Sequence, residues 1–154
     1  MIFIIILLSV FLGDLLLKKY IEANLPEGEE KTVFGGRILI RKLHNHGIAL
    51  GGLSEHPVLI RRGTIGLIGG MFVYYLILLF RKGEAVRKTG LSLLLGGALC
   101  NWFDRFHQGH VTDYFSFQVK WQKLRQIVFN LSDICIFIGS ILMLFGGGRK
   151  KKQK

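Results

Sequence analysis

Two carboxylates in this chain lie in an unusual setting for acids. Asp113 sits in "CNWFDRFHQGHVTDYFSF" (residues 100–117), together with Asp104, and Asp133 sits in "FNLSDICIFIGSILMLF" (residues 129–145), a run that is otherwise almost wholly oily. Ionisable side chains inside such segments are costly to bury, and a functional role is their default reading. The stretch between Arg105 and Asp113 holds Gly109 and can fold back, so Asp113 and Asp133 can meet at one depth from opposite sides of a cleft. Two carboxylates that close do not both ionise cheaply; one keeps a proton. The charged partner can then take a proton from an attacking water, while the protonated one polarises a peptide carbonyl and helps the leaving nitrogen depart. The pair titrates as a unit.

Other polar residues converge on the same level. Asn130 precedes Asp133 by three and shares its helical face, while the adjacent Ser132 points elsewhere. Asn101 and Arg105 are four apart on one face, and Asp14 and Lys18 form an i,i+4 pair at the end of the first oily run. Each has a plainer reading: Asp133 capped by Asn130 for packing alone, Asp104 ion-paired with its neighbour Arg105, and Asp14–Lys18 as a helix-end pair. In "HNHGIALGG", Asn45 lies between His44 and His46. Two histidines could suggest zinc, but no third ligand has suitable spacing, so neither a metal nor a cofactor is expected. His107 and His110 read as interfacial or loop residues, and Trp102, Tyr114 and Trp121 as a membrane-surface aromatic belt. Cys100 and Cys135 lie in apolar runs and read as buried thiols.

These residues need a membrane scaffold to hold them. The chain has 154 residues, 50% of them hydrophobic, enough for one domain and too oily for an ordinary soluble one. A spanning helix takes about 20 residues, and four segments qualify: 1–17, 63–80, 89–106 and 127–147. The first is longer than a typical signal-peptide core and lacks a basic leader, which predicts a retained helix. The net charge of +11 is concentrated beside oily segments, at Arg81–Lys82 and Arg87–Lys88 and in the basic tail 149–154. There it acts as a topology signal and attracts anionic lipid, rather than marking a nucleic-acid surface. Both clusters on the cytoplasmic side place both termini there too, with 18–62 and 107–126 outside. Between the first two helices, residues 31–53 contain "RILIRKLHNHGIAL", whose first half alternates apolar and polar at the strand period, with glycine turns at 35–36 before it and 51–52 after it, predicting a small β-rich extracytoplasmic element. The expected fold is thus an all-α membrane protein of four transmembrane helices carrying that element.

"GGALCNWFDRF…GHVTDYFSF" and "VFNLSDICIFIGSILML" resemble the two signature blocks of the lipoprotein signal peptidase (signal peptidase II) family. "FLGDLLLKKY" is similar to its D-x-x-x-K at the end of helix one, and "HNHGIALGGL" to its outer segment. The resemblance covers the whole chain and implies an intramembrane aspartyl endopeptidase of the bacterial cytoplasmic membrane. Such an enzyme removes signal peptides from prolipoproteins, cutting before the diacylglyceryl-modified cysteine. Its partners would be that lipid-modified substrate and membrane lipid, with no nucleic acid, and the chain would act as a monomer. By motif, Asp113 and Asp133 would be catalytic. Asn45, Asn101, Arg105, Asn130, Asp14 and Lys18 would support them, with Arg105 suited to gripping substrate carbonyls through its rigid fork. The chain departs from the pattern at Cys100 (usually glycine), Ser132 (usually alanine) and Leu50 (often aromatic), and "VTDYFSF" is a looser version of its block. Small residues Gly96–Gly97 and Ala98 would allow close helix approach.

Two other classes fit an oily chain with buried acids. A proton- or ion-translocating protein would use Asp133 and Asp104 as relay groups, yet the inner halves of the four segments lack ionisable residues. A non-catalytic scaffold derived from the family would keep its polar residues as packing devices.

Overall fold

In the computed structural model, residues 1–47 and 55–146 are described. The order is α1 (Ile2–Asn24), β1 (Glu30–Val33), β2 (Ile38–Asn45), α2 (Pro57–Phe80), α3 (Ala85–His107), β3 (Val111–Phe117), α4 (Gln122–Gln126) and α5 (Leu131–Phe145). The four oily segments are the four long helices, with shifted ends. Helix α1 runs past Lys18, because that ammonium is buried and paired rather than seeking water. Helix α2 starts earlier than predicted, at Pro57, whose fixed φ suits a first turn. Helix α5 starts later, at Leu131, because Phe129 is taken up by a β-bridge to Phe115 and Asn130 caps the helix. Asp133 is therefore the third residue of its helix, closer to the helix end than a segment starting at 127 predicts. The turn signal at 51–52, Leu50 and the basic tail 149–154 lie outside the described residues.

Burial is inverted relative to a water-soluble bundle. Ile2, Ile5, Leu8, Leu12 and Leu16 of α1, Leu67 and Val73 of α2, and Phe137 and Leu144 of α5 are exposed. Asp14, Lys18, Ser92, Asn101, Asp104, Asn130 and Ser132 are buried. Continuous apolar surface of this kind wants an apolar solvent. Among the described residues, α2 alone is long and apolar enough to cross a membrane on those two criteria; α5 is apolar but shorter.

Helix α3 is the hub, touching α1, α2 and α5. Glycines allow this. A Cβ on Gly96 would lie 2.7 Å from Leu7 O of α1, and one on Gly97 would lie 2.6 Å from Ser132 O of α5. On α5, Gly139 returns the fit, its Cβ position being 2.5 Å from Gly90 O. Small residues at crossings let backbones meet where the hydrophobic effect supplies little drive.

The β element is larger than the stretch between α1 and α2. The sheet has the order β1-β2-β3, all antiparallel, and its third strand comes from the segment after α3. Strand β2 runs from Ile38 opposite Phe117 to Asn45 opposite Val111, with an irregularity between Ile40 and Leu43. Gly35 and Gly36 make the β1–β2 turn at φ 65° and 82°, backbone that favours glycine. On the far side of β3, Phe129 N donates to Phe115 O at 2.7 Å, and Tyr114 N and Phe115 N donate to Phe129 O at 2.9 and 3.0 Å. This stitch ties β3 to the entrance of α5.

Candidate active site

Strand β3 carries Asp113 and the first turn of α5 carries Asp133. Asn130 touches both. Its side-chain amide donates to Asp113 Oδ1 at 2.7 Å, and its backbone N–H donates to Asp133 Oδ2 at 3.1 Å. In return, Asp133 N donates to Asn130 Oδ1 at 2.9 Å, closing a capping box at the start of α5. The remaining oxygens are held from the other walls: Asn45 Nδ2 of β2 donates to Asp113 Oδ2 at 3.0 Å, and Asn101 Nδ2 of α3 donates to Asp133 Oδ1 at 2.9 Å. Burial, then the charge of Asp133, pushes the Asp113 carboxyl up to about 7, against the hydrogen bonds from Asn45 and Asn130.

A buried ionic layer lies behind the two acids. Lys18 Nζ contacts Asn101 Oδ1 at 2.7 Å, Asp104 Oδ2 at 2.7 Å and Asp14 Oδ2 at 3.0 Å. Asp104 thus pairs with Lys18 and not with Arg105, since adjacent helical residues point in different directions. The Asp14–Lys18 pair is more than a helix-end pair: through Asn101 it reaches Asp133. Asp14 also accepts from Ser132 Oγ, from Tyr114 Oη at 2.9 Å and from Leu131 N at 3.2 Å. The anion therefore sits at the N-terminus of α5, where its charge is favoured.

Arg105 closes one side. Its Nη2 donates to Gly47 O at 2.6 Å, Nη1 reaches Asn101 O at 3.4 Å, and Nε is buried without a partner. With His46, Pro57, Ile60, Arg61 and Gly109 it lines a cleft of about 380 Å³.

Seven of the eight residues named from sequence, Arg105 aside, join one hydrogen-bonded network around Asp113 and Asp133, and Arg105 borders it through Asn101. Tyr114 is a correction: it faces inward to Asp14 and is buried, so it is no part of an aromatic belt. Ser132 does point away from Asp133, but into this network. Its signal was its position as the one hydroxyl in the first turn of an oily helix.

A profile of the family described as Signal peptidase (SPase) II matches residues 6–147. The chain belongs to the signal peptidase II family. A lipoprotein signal peptidase of Lactobacillus johnsonii is 32% identical over 141 residues, covering 92% of this chain and 88% of that protein. One from Wigglesworthia glossinidia brevipalpis is 33% identical over 144 residues, covering 92% and 90%. A solved structure described as a bacterial membrane enzyme is similar with a TM-score of 0.82 at 27% identity, covering 99% of this chain and 93% of that one. Membership in signal peptidase II makes this chain a protease on a membrane-enzyme fold.

Proposed function

We propose that this chain is an intramembrane aspartyl endopeptidase that removes signal peptides from bacterial prolipoproteins, cutting before the diacylglyceryl-modified cysteine. The observation that carries the reading is the joint hold of Asn130 on Asp113 and Asp133 within a hydrogen-bonded polar cluster that buries Asp113 and Asn130 and half-buries Asp133.

In this mechanism Asp113 keeps the shared proton and Asp133 is ionised, facing donors from Asn101 and Asn130. Asp133 takes a proton from water as the water oxygen bonds to the scissile carbonyl carbon, and Asp113 gives its proton to the carbonyl oxygen. The tetrahedral diol then collapses: the C–N bond breaks, the nitrogen leaves with a proton from Asp133, and the diol returns one proton to Asp113. Water is consumed and the pair ends as it began. Arg105, with its unpartnered Nε at the edge of the cleft, is suited to substrate carbonyls.

The chain is proposed as a single integral membrane domain of four spans in the bacterial cytoplasmic membrane, acting as a monomer. Both termini would lie inside, the sheet outside, and the acids just below the outer face. A scissile bond beside an acylated cysteine stays near the headgroups, and lateral access between helices lets the acyl chains remain in lipid. A proton relay is disfavoured: α5 carries no ionisable group but Cys135 beyond Asp133.

The test is incubation of the purified protein with a synthetic diacylglyceryl-cysteine prolipoprotein, with mass analysis of the products. Cleavage before the modified cysteine is expected, lost in Asp113→Asn and in Asp133→Asn. Processing at the normal rate by either variant overturns the assignment of the acids.

A further inference from the structure

A second cluster of ligating groups lies outside the peptidase site, where the end of α1, strand β2 and the chain entering β3 converge. Glu22, His44 and His110 each offer one ligand atom, and the three atoms lie within 4.8 Å of one another. Glu22 Oε1 is 2.8 Å from His44 Nε2. The His44 and His110 rings are 4.1 Å apart, centre to centre, and the His46 ring is 5.5 Å from His110. All three ligand residues are half-buried, so an ion can reach them from solvent. The spacing of His44 and His46 in the sequence gives no third ligand; the fold supplies Glu22 and His110 from separate segments.

We propose that Glu22, His44 and His110 bind one divalent transition-metal ion of the zinc class. Two imidazoles and a carboxylate form a ligand set this class accepts, with a remaining position for solvent. Metal–ligand bonds of about 2.0–2.1 Å separate tetrahedral ligand atoms by roughly 3.4 Å, so ordinary side-chain rotation closes the cluster. The surroundings also orient the ligands. Thr112 Oγ1 donates to Glu22 Oε1 at 2.7 Å, and Lys42 Nζ lies 3.5 Å from the other oxygen, Oε2, leaving Oε1 turned toward the imidazoles. The exposed Glu27 Oε1 lies 3.9 Å from His44 Nδ1, beyond hydrogen-bond reach, while His44 Nε2 faces Glu22 Oε1 at 2.8 Å. The ion would fasten α1 to the sheet next to Asn45, which holds Asp113.

Tag-free, chelator-treated full-length protein in detergent is titrated with zinc chloride by calorimetry, and with Co²⁺ by visible absorption. One ion per chain is expected, with a rise in the thermal midpoint. His44→Ala and His110→Ala should each weaken binding by about tenfold or more and abolish the thermal rise, while His107→Ala leaves both unchanged. The thermal midpoint of each metal-free variant reports that it is folded. No saturable uptake by the parent, or unchanged uptake in folded His44→Ala and His110→Ala, overturns the proposal. Peptidase activity of the metal-free parent is independent of this result.

Discussion

The side-chain amide of Asn130 donates to Asp113 at 2.7 Å while the same residue caps the helix that carries Asp133. One asparagine therefore sets the placement of both acids. Asn130→Ala removes a helix cap, a loss of about 1 kcal/mol, and also frees Asp113 Oδ1. We expect kcat to fall about a hundredfold with KM little changed, because the lost contacts hold the two carboxyls proposed to react rather than any group proposed to grip substrate. Steady-state cleavage of a lipopeptide checks the split.

In the proposed mechanism Asp113 acts in its protonated form, so activity should fall as pH rises through about 7, where that carboxyl ionises. The stability effect has a definite sign. A carboxyl whose folded value is raised contributes fully below its unfolded value, near 3.8, and that contribution is lost as pH climbs to about 7. Asp113→Asn, which carries no titrating proton, should thus gain in thermal midpoint relative to the parent at pH 8 and lose that advantage at pH 4. Thermal unfolding across this range reads the crossover.

Lys18 neutralises a buried layer containing Asp14 and Asp104. Lys18→Met leaves both acids uncompensated, and breaking a buried pair this way costs about 3–5 kcal/mol. Adding Asp104→Asn should recover part of the loss. A double-mutant cycle in detergent measures the coupling; additive effects would contradict it.

Helix contact through α3 depends on missing side chains. Gly97→Val drives atoms into the Ser132 carbonyl of α5 and should destabilise by about 1–3 kcal/mol or more, with loss of cleavage. Gly69→Ala, on α2 where nothing lies within 4 Å, should be neutral or slightly stabilising. Thermal midpoints of the two variants make the comparison.

Ser132→Ala should be mild. Asp14 keeps Tyr114, Leu131 N and Lys18 as partners, so the loss is that of one hydrogen bond, about 0.5–1.5 kcal/mol, with cleavage retained.

Sequence alone reveals the parts of this fold that obey a local period. Oily runs locate four helices, and i,i+3 and i,i+4 spacing pairs Asn130 with Asp133, Asn101 with Arg105 and Asp14 with Lys18. What it hides is pairing between distant segments. "VTDYFSF" offers no clear alternation, because β3 lies between β2 and the Phe129 stretch and is buried along most of its length. Tyr114 is indistinguishable in composition from an interfacial tyrosine, and only the approach of α1 shows it to be a donor to Asp14. Asp104 has a cation next to it in sequence, yet helix geometry hands it to Lys18, 86 positions away.

The backbone stitch between Phe115 and Phe129 fastens two otherwise remote stretches a few residues from each acid. The strand that carries Asp113 and the entrance of the helix that carries Asp133 are therefore joined directly through backbone hydrogen bonds. Helix α2 packs mainly on α3 and takes no part in that seam. A change in how α2 leans would leave that backbone seam unbroken.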